Sequence, residues 1–187
     1  MRFFDHLQTG HLSEFLSFRE VSVRNPRVPV TTGIRWLRTR KASFETHLYN
    51  YEEHGGTGVA ARESGAAEFE VVKTVVLIDT NAEPLLMLMH GDREVSLQQL
   101  ARQLGVRAIQ TCPPAQAQKI TGYLVGGTSP FGTRRKLRVF AEKSIMQLSR
   151  LYINGGKRGL LIEMTPRELV RLLHPVMVQA ATKKQNR

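Results

Sequence analysis

A single cysteine, Cys112, leaves this chain without an intramolecular disulfide, and a reducing, cytoplasmic compartment is the expected home. No run approaches the roughly 18 apolar residues of a membrane-spanning helix; the densest are Val75–Ile78 and Leu85–Met89. The six histidines offer no HxH or HExxH spacing, and one cysteine cannot build a thiolate cage, so neither metal nor cofactor is expected. A secretory signal needs an unbroken apolar stretch, but Met1–Phe18 is interrupted by Asp5, His6, Gln8, His11 and Glu14. The arginines of the first 41 residues resemble those of a transit peptide, which would avoid the three acids found among them. Internal repeats are lacking too.

What is present is an ordinary globular composition with a strong charge bias. The 187 residues divide, at about 150 per domain, into one domain with tails, long enough to bury roughly 70% of its unfolded surface without staples. Against 16 acids stand 27 Lys+Arg, a net charge of +11. Such an excess attracts a polyanion. Arginines outnumber lysines 19 to 8, and the planar guanidinium suits phosphate better than a point ammonium does. Arg134, Arg135, Lys136 and Arg138 form one cluster, and Lys157 with Arg158 another. No helix combines a Lys-rich face with exposed bulky apolar residues, so nucleic acid is favoured over a membrane.

Periodicity and punctuation set out the elements. Residues 1–30 show no sustained pattern and read as a loosely attached extension. A short helix is expected over Gly33–Arg40. Phe44–Tyr49 alternates as a half-buried strand, with Phe44, Thr46 and Leu48 on one side. A brief helix follows over Val59–Ser64. Val71–Ile78 and Leu85–Met89 read as a strand pair around Asn81-Ala82-Glu83-Pro84. Ser96 and Gln99 form a capping box for a helix that Gly105 closes. A strand over Val106–Ile109 and a helix opened by Pro113-Pro114 come next. Gly122–Gly132 reads as a glycine-rich loop between apolar strands. Strands over Leu137–Ala141, Leu151–Ile153 and Leu160–Glu163 follow, and Thr165-Pro166-Arg167-Glu168 announces a last helix ending near His174-Pro175. The mixture predicts an α+β fold: a single domain over 31–175 with a mixed sheet and short flanking helices, then a frayed tail over 176–187.

Two chemical patterns lose to simpler readings. Cys112 lacks a partnering base, and a small buried thiol explains it. Gly56-Thr57-Gly58-Val59-Ala60-Ala61 fits G-x-G-x-x-A, with Asp79 placed 18 residues after Ala61. A dinucleotide fingerprint should follow a buried strand, however, and here Tyr51-Glu52-Glu53-His54 precedes it.

The loop Gly126-Gly127-Thr128-Ser129-Pro130-Phe131-Gly132 is more telling. Adjacent glycines leave backbone amides open to a ligand oxygen, although a plain turn between strands would look the same. Lys73, inside a strand, either faces solvent or directs its ammonium into a pocket.

Four segments in order tip that balance: Val72–Val75, Gly91–Leu97, Thr121–Gly132 and Tyr152–Leu160. Together they resemble the YbaK/EbsC family of aminoacyl-tRNA deacylases, free-standing relatives of the prolyl-tRNA synthetase editing domain, over about Thr31–Leu173. The resemblance implies a curved mixed sheet. It implies that Lys73 is needed for activity, and that Gly126, Gly127, Thr128, Ser129 and Pro130, closed by Gly132, hold the aminoacyl end and terminal adenosine. Tyr49 matches the family's early tyrosine, following Ser43, Phe44 and His47. Asn154 and Leu161 complete the expected substrate site. Asn154 stands where some members carry serine, and Leu161 where some bacterial members place an acid, which leaves the amino-acid preference open. The expected reaction is trans-editing: release of a mischarged amino acid, cysteine first and alanine or another small residue second, from proline tRNA. In cysteine-specific members the substrate's own thiol is thought to attack its carbonyl. Arg134, Arg135, Lys136, Arg138, Lys157 and Arg158 would carry tRNA phosphates, and the implied partners are aminoacylated tRNA and prolyl-tRNA synthetase. The competing reading is a non-catalytic tRNA- or synthetase-binding module of the same fold.

Overall fold

The computed structural model describes residues 28–184. All but the last three residues of the 1–30 extension lie outside that range. Val28 packs against the core.

The hydrophobic run after residue 83 sets the centre of the fold. A strand with continuous apolar residues must be covered on both faces, and β3 (Pro84–His90) is buried along its whole length. It pairs antiparallel with β2 (Val71–Asp79), as the sequence predicts, and parallel with β6 (Arg138–Glu142). With β1 (Glu45–Leu48), β7 (Leu151–Asn154), β8 (Leu160–Met164) and β9 (Val176–Val178), the sheet runs β1-β8-β7-β2-β3-β6-β9. Strand β5 (Ile109–Thr111) adds to β2 off this path, and β4 (Arg93–Val95) pairs with β10 (Ala181–Lys183) in a separate ribbon.

Five short helices flank the sheet: α1 (Thr32–Thr39), α2 (Gly56–Ser64), α3 (Leu97–Leu104), α4 (Pro114–Thr121) and α5 (Pro166–Leu173). Ile34 and Leu37 of α1 and Leu169 of α5 join Val72, Leu88 and Ile153 in the largest apolar cluster. Leu100 and Ala101 of α3 pack with Leu77, Met87 and Met89, while Ala117 and Ile120 of α4 cover Val76, Ile78 and Leu86. His90 is fully buried between Phe69, on which it stacks, and the Ser144 hydroxyl, so it belongs to the core.

Several expectations need correction. The 176–187 segment is not frayed throughout: β9 lies parallel to β6 and β10 antiparallel to β4. Each is three residues long, too short to leave a pattern in the sequence. Helix α2 begins at Gly56, earlier than Val59, and β5 lies two to three residues later than expected. Leu48 is 37% exposed, so the alternation along β1 does not match its burial. The Gly122–Gly132 loop joins a helix to a strand, not two strands. Both capping boxes form only by half. Ser96 and Thr165 accept from the amides three residues on, but the Ser96 amide donates to Ala180 O, and Glu168 reaches Ser43 N and Arg171.

Asp79 holds the β2–β3 turn, which settles its role without a nucleotide. Its Oδ1 accepts from the amides of Asn81 (2.9 Å) and Glu83 (3.0 Å), and its Oδ2 meets Arg138 Nη2 at 2.9 Å. Burial alone would raise its pKa, but these donors outweigh it and hold the carboxyl below its usual value. A depressed carboxylate contributes stability above its unfolded pKa, and that contribution is lost as pH falls through the folded one. Asp79→Asn should therefore flatten the loss of stability on acidification below about pH 4, read from urea midpoints across pH.

Candidate active site

Strand β2 is incompletely covered along one edge, and the candidate site opens there. On that edge β7 pairs only with Val71 and Val72, while β5 pairs with Leu77–Asp79. Between them, among the described residues, no strand pairs with Lys73–Val75 on this edge. Cys112 N donates to Val76 O across this edge at 3.0 Å. Residues two apart on a strand point their polar groups the same way, so the N–H and C=O of Thr74 face the gap. The Thr74 hydroxyl is also buried without a partner among the described residues. Sequence reading passed over Thr74, since nothing in a β-strand pattern reveals which neighbour is missing.

A cavity of about 720 Å³ fills this gap. It is lined by Lys73, Gly126, Thr128, Tyr49, Asn154, Leu161 and Arg158 from the expected set, together with Tyr51, Thr57, Thr111, Cys112 and Lys184. Side chains at 71, 73 and 75 lie on one face of β2 and those at 72, 74 and 76 on the other. The cavity therefore wraps an edge, with Lys73 on one face. The glycine loop is anchored beside the opposite face, where Phe131 joins the cluster containing Val72.

The loop divides into a mouth and an anchor. Gly126 and Thr128 line the cavity. Ser129, Pro130 and Phe131 are buried, and none of them, nor Gly132, lines it. The Ser129 hydroxyl accepts from Phe131 N, and Tyr123 Oη donates to Phe131 O at 2.6 Å. Burial pushes the Tyr123 phenol up to about 12, so it stays a donor. Ser129, Pro130 and Gly132, expected at the substrate, lie outside the lining of this cavity, and the Ser129 and Tyr123 hydroxyls fix the loop backbone at Phe131.

The two glycines differ. Gly126 sits at φ +83°, which disfavours any side chain, and a Cβ there would come within 3.1 Å of Tyr51 Oη. A Cβ on Gly127 would meet the Lys157–Arg158 backbone at 3.0 Å, and the Gly127 amide already donates to Leu124 O at 2.9 Å. Gly127 is therefore a packing position with an occupied donor. The amides of Gly126 and Thr128 have no backbone acceptor among the described residues.

Asn154 and Arg158 brace this mouth. Asn154 Nδ2 donates to Gly126 O and Lys157 O, both at 3.2 Å, while its Oδ1 accepts from the amides of Gly156 and Lys157. Arg158 Nε donates to Val125 O at 2.9 Å and its guanidinium lies over Tyr51. Leu161 is buried with Ala60, Val71 and Tyr152, giving one wall an apolar character. Burial also raises the Tyr49 phenol and the Cys112 thiol, so neither ionises readily.

Lys73 is half-buried and, among the described residues, makes one long contact, Nζ to Gly91 O at 3.5 Å. Burial is the main cause lowering its pKa, with the nearby Lys184 second; Glu94, Glu68 and Asp92 oppose both. The expected phosphate contacts Arg134, Arg135, Lys136, Arg138, Lys157 and Arg158 are all exposed; Arg138 also pairs with Asp79 and Arg134 lies against Lys119 O (3.4 Å). Strand pairing also brings Glu45 and His47 beside Glu163, a juxtaposition that residue spacing alone did not reveal. His47 Nε2 lies 2.8 Å from Glu163 Oε2, and Arg150 is 3.6 Å from the other oxygen.

Comparison with known proteins identifies the family. The model of the aminoacyl-tRNA editing domain matches residues 56–172, which contain Lys73 and the whole glycine loop. The chain belongs to the aminoacyl-tRNA editing domain family. EbsC of Enterococcus faecalis, provisionally named a Cys-tRNA(Pro)/Cys-tRNA(Cys) deacylase, is 24% identical over 155 residues, covering 82% of this chain and 94% of EbsC. A proline–tRNA ligase of Brachyspira hyodysenteriae is 29% identical over 86 residues, which are 46% of this chain and 15% of the ligase. Among solved structures, a protein provisionally described as a trans-editing enzyme for prolyl tRNA synthetase superposes with a TM-score of 0.69 at 21% identity, covering 81% of this chain and 94% of the other. That likeness supports the mixed-sheet α+β fold. Membership makes an aminoacyl-tRNA the substrate class of this editing domain. Among the described residues, no helix is long and apolar enough to cross a membrane.

Proposed function

We propose that this protein is a trans-editing deacylase that cleaves the ester of a mischarged small amino acid, cysteine first, on proline tRNA, where tRNA is charged in the cytoplasm. The observation that carries the reading is the cavity at the open edge of β2. It places a half-buried lysine on one side and the glycine mouth of the loop on the other.

The ester joins the amino acid's carbonyl to the terminal ribose. A nucleophile, water or the substrate's thiol, adds to the carbonyl carbon and places negative charge on its oxygen. The ribose oxygen then leaves with a proton. Amides of Gly126 and Thr128 are suited to the developing oxyanion, where one aimed donor is worth about 100- to 1000-fold in rate. In this scheme Lys73 fixes the phosphate or ribose of the terminal nucleotide. Leu161 and its apolar neighbours accommodate a thiol or methyl side chain, and this wall keeps alanine open as the second substrate. Arg135, Lys136 and Lys157 supply sequence-independent phosphate contacts, and prolyl-tRNA synthetase is the proposed source of tRNA selection.

Purified protein incubated with Cys-tRNA(Pro) and Ala-tRNA(Pro) tests the reading. Faster loss of the cysteinyl ester is expected, whereas a preference for alanine moves the assignment to the second substrate. Tight tRNA binding with no ester cleavage would make the protein a binding module.

A further inference from the structure

The C-terminal strand brings a residue to the cavity that the sequence gives no reason to place there. After β10 pairs with β4, Lys184 lies at the Lys73 end of the cavity and its Nζ meets Glu68 Oε1 at 3.1 Å. The same carboxylate oxygen accepts from Thr57 Oγ1 at 2.8 Å. Thr57 Oγ1 also lies 3.1 Å from Gly91 O, the carbonyl that Lys73 approaches. Two lysines thus share one network with Glu68, and only Lys184 holds its carboxylate.

We propose that Lys184 is a positioning residue: by occupying Glu68 it keeps the Lys73 ammonium unpaired and available to the substrate. Without it, Glu68 is left as an anion of this network with no cation among the described residues holding it. Burial tends to raise the Glu68 pKa, but the Thr57 hydroxyl and Lys184 outweigh that, and Lys73 adds to them, so Glu68 stays ionised and attractive to a cation. The groups that act on Lys73 come from four segments: Lys184 after β10, Glu94 on β4, Asp92 in the turn before it, and Glu68 ahead of β2. Losing Lys184 removes the repulsion among them and leaves three acids. Lys73 would then hold its proton more tightly and turn toward Glu68. This inference rests on Lys73 acting in the proposed deacylation.

The test is a cycle of Lys184→Ala, Glu68→Gln and the double variant in the full-length protein. Two readouts are used: kcat on the aminoacyl-tRNA that the wild type cleaves, and the rate at which acetic anhydride labels Lys73, followed by mass spectrometry. Labelling reports the neutral amine and needs no activity. Lys184→Ala is expected to lower both on the order of tenfold, with Lys184→Arg near wild type and Glu68→Gln restoring the alanine variant. Arg102→Ala, on α3, should change neither. Wild-type labelling and kcat in Lys184→Ala would overturn the proposal. So would a loss that Glu68→Gln does not repair, because Lys184 would then touch the substrate itself. If the wild type cleaves no aminoacyl ester, the functional reading fails, while labelling still reports whether Lys184 keeps Lys73 from Glu68.

Discussion

Lys73→Met is expected to leave the protein folded while lowering deacylation kcat/KM by about 100- to 1000-fold, the range for losing one aimed polar group in a catalytic site. The side chain is half-buried, and its single long contact to Gly91 O contributes little to stability. Methionine has nearly the same length and no charge to desolvate, so thermal stability should match or exceed that of the wild type. Separating the readouts matters. A residue that only held the fold would lose stability and activity together, whereas a substrate contact loses activity alone. Lys73→Arg should recover only part of the rate, because the guanidinium fork is wider than an ammonium. Single-turnover cleavage of the aminoacyl ester, alongside a urea unfolding curve, would decide it. Unchanged cleavage by the methionine variant would remove Lys73 from the mechanism.

Phe131→Ala should act in the opposite order, on stability first. The ring is fully buried and lies 5.7 Å from Trp36, centroid to centroid, within the largest apolar cluster. Removing it costs about 3–5 kcal/mol in comparable cores, against a total of roughly 5–15 kcal/mol for a typical domain. The urea midpoint should fall steeply. The backbone of Phe131 also ties down the loop, through Ser129 Oγ on its amide and Tyr123 Oη on its carbonyl. Cleavage should therefore decline even where the variant remains folded, because Gly126 and Thr128 lose their fixed aim. Phe131→Leu keeps most of the volume and should retain more of both properties. An alanine variant with a near-wild-type midpoint would show that this residue does not anchor the mouth.

The sequence determined a good deal by itself. The unbroken apolar run of β3 demanded cover on both faces, Thr165-Pro166 and Ser96 marked helix starts, and the ordered segments Val72–Val75, Gly91–Leu97, Thr121–Gly132 and Tyr152–Leu160 carried the family resemblance. Those are local signals, written in neighbouring residues. Only the tertiary structure could leave Thr74 without a strand neighbour on one edge among the described residues, divide the glycine loop into mouth and anchor, and bring Lys184 after β10 to Glu68. Each depends on which strand lies beside which. Pairing between distant segments is set by packing of the whole sheet, and strands of three residues carry too little pattern to announce their partners.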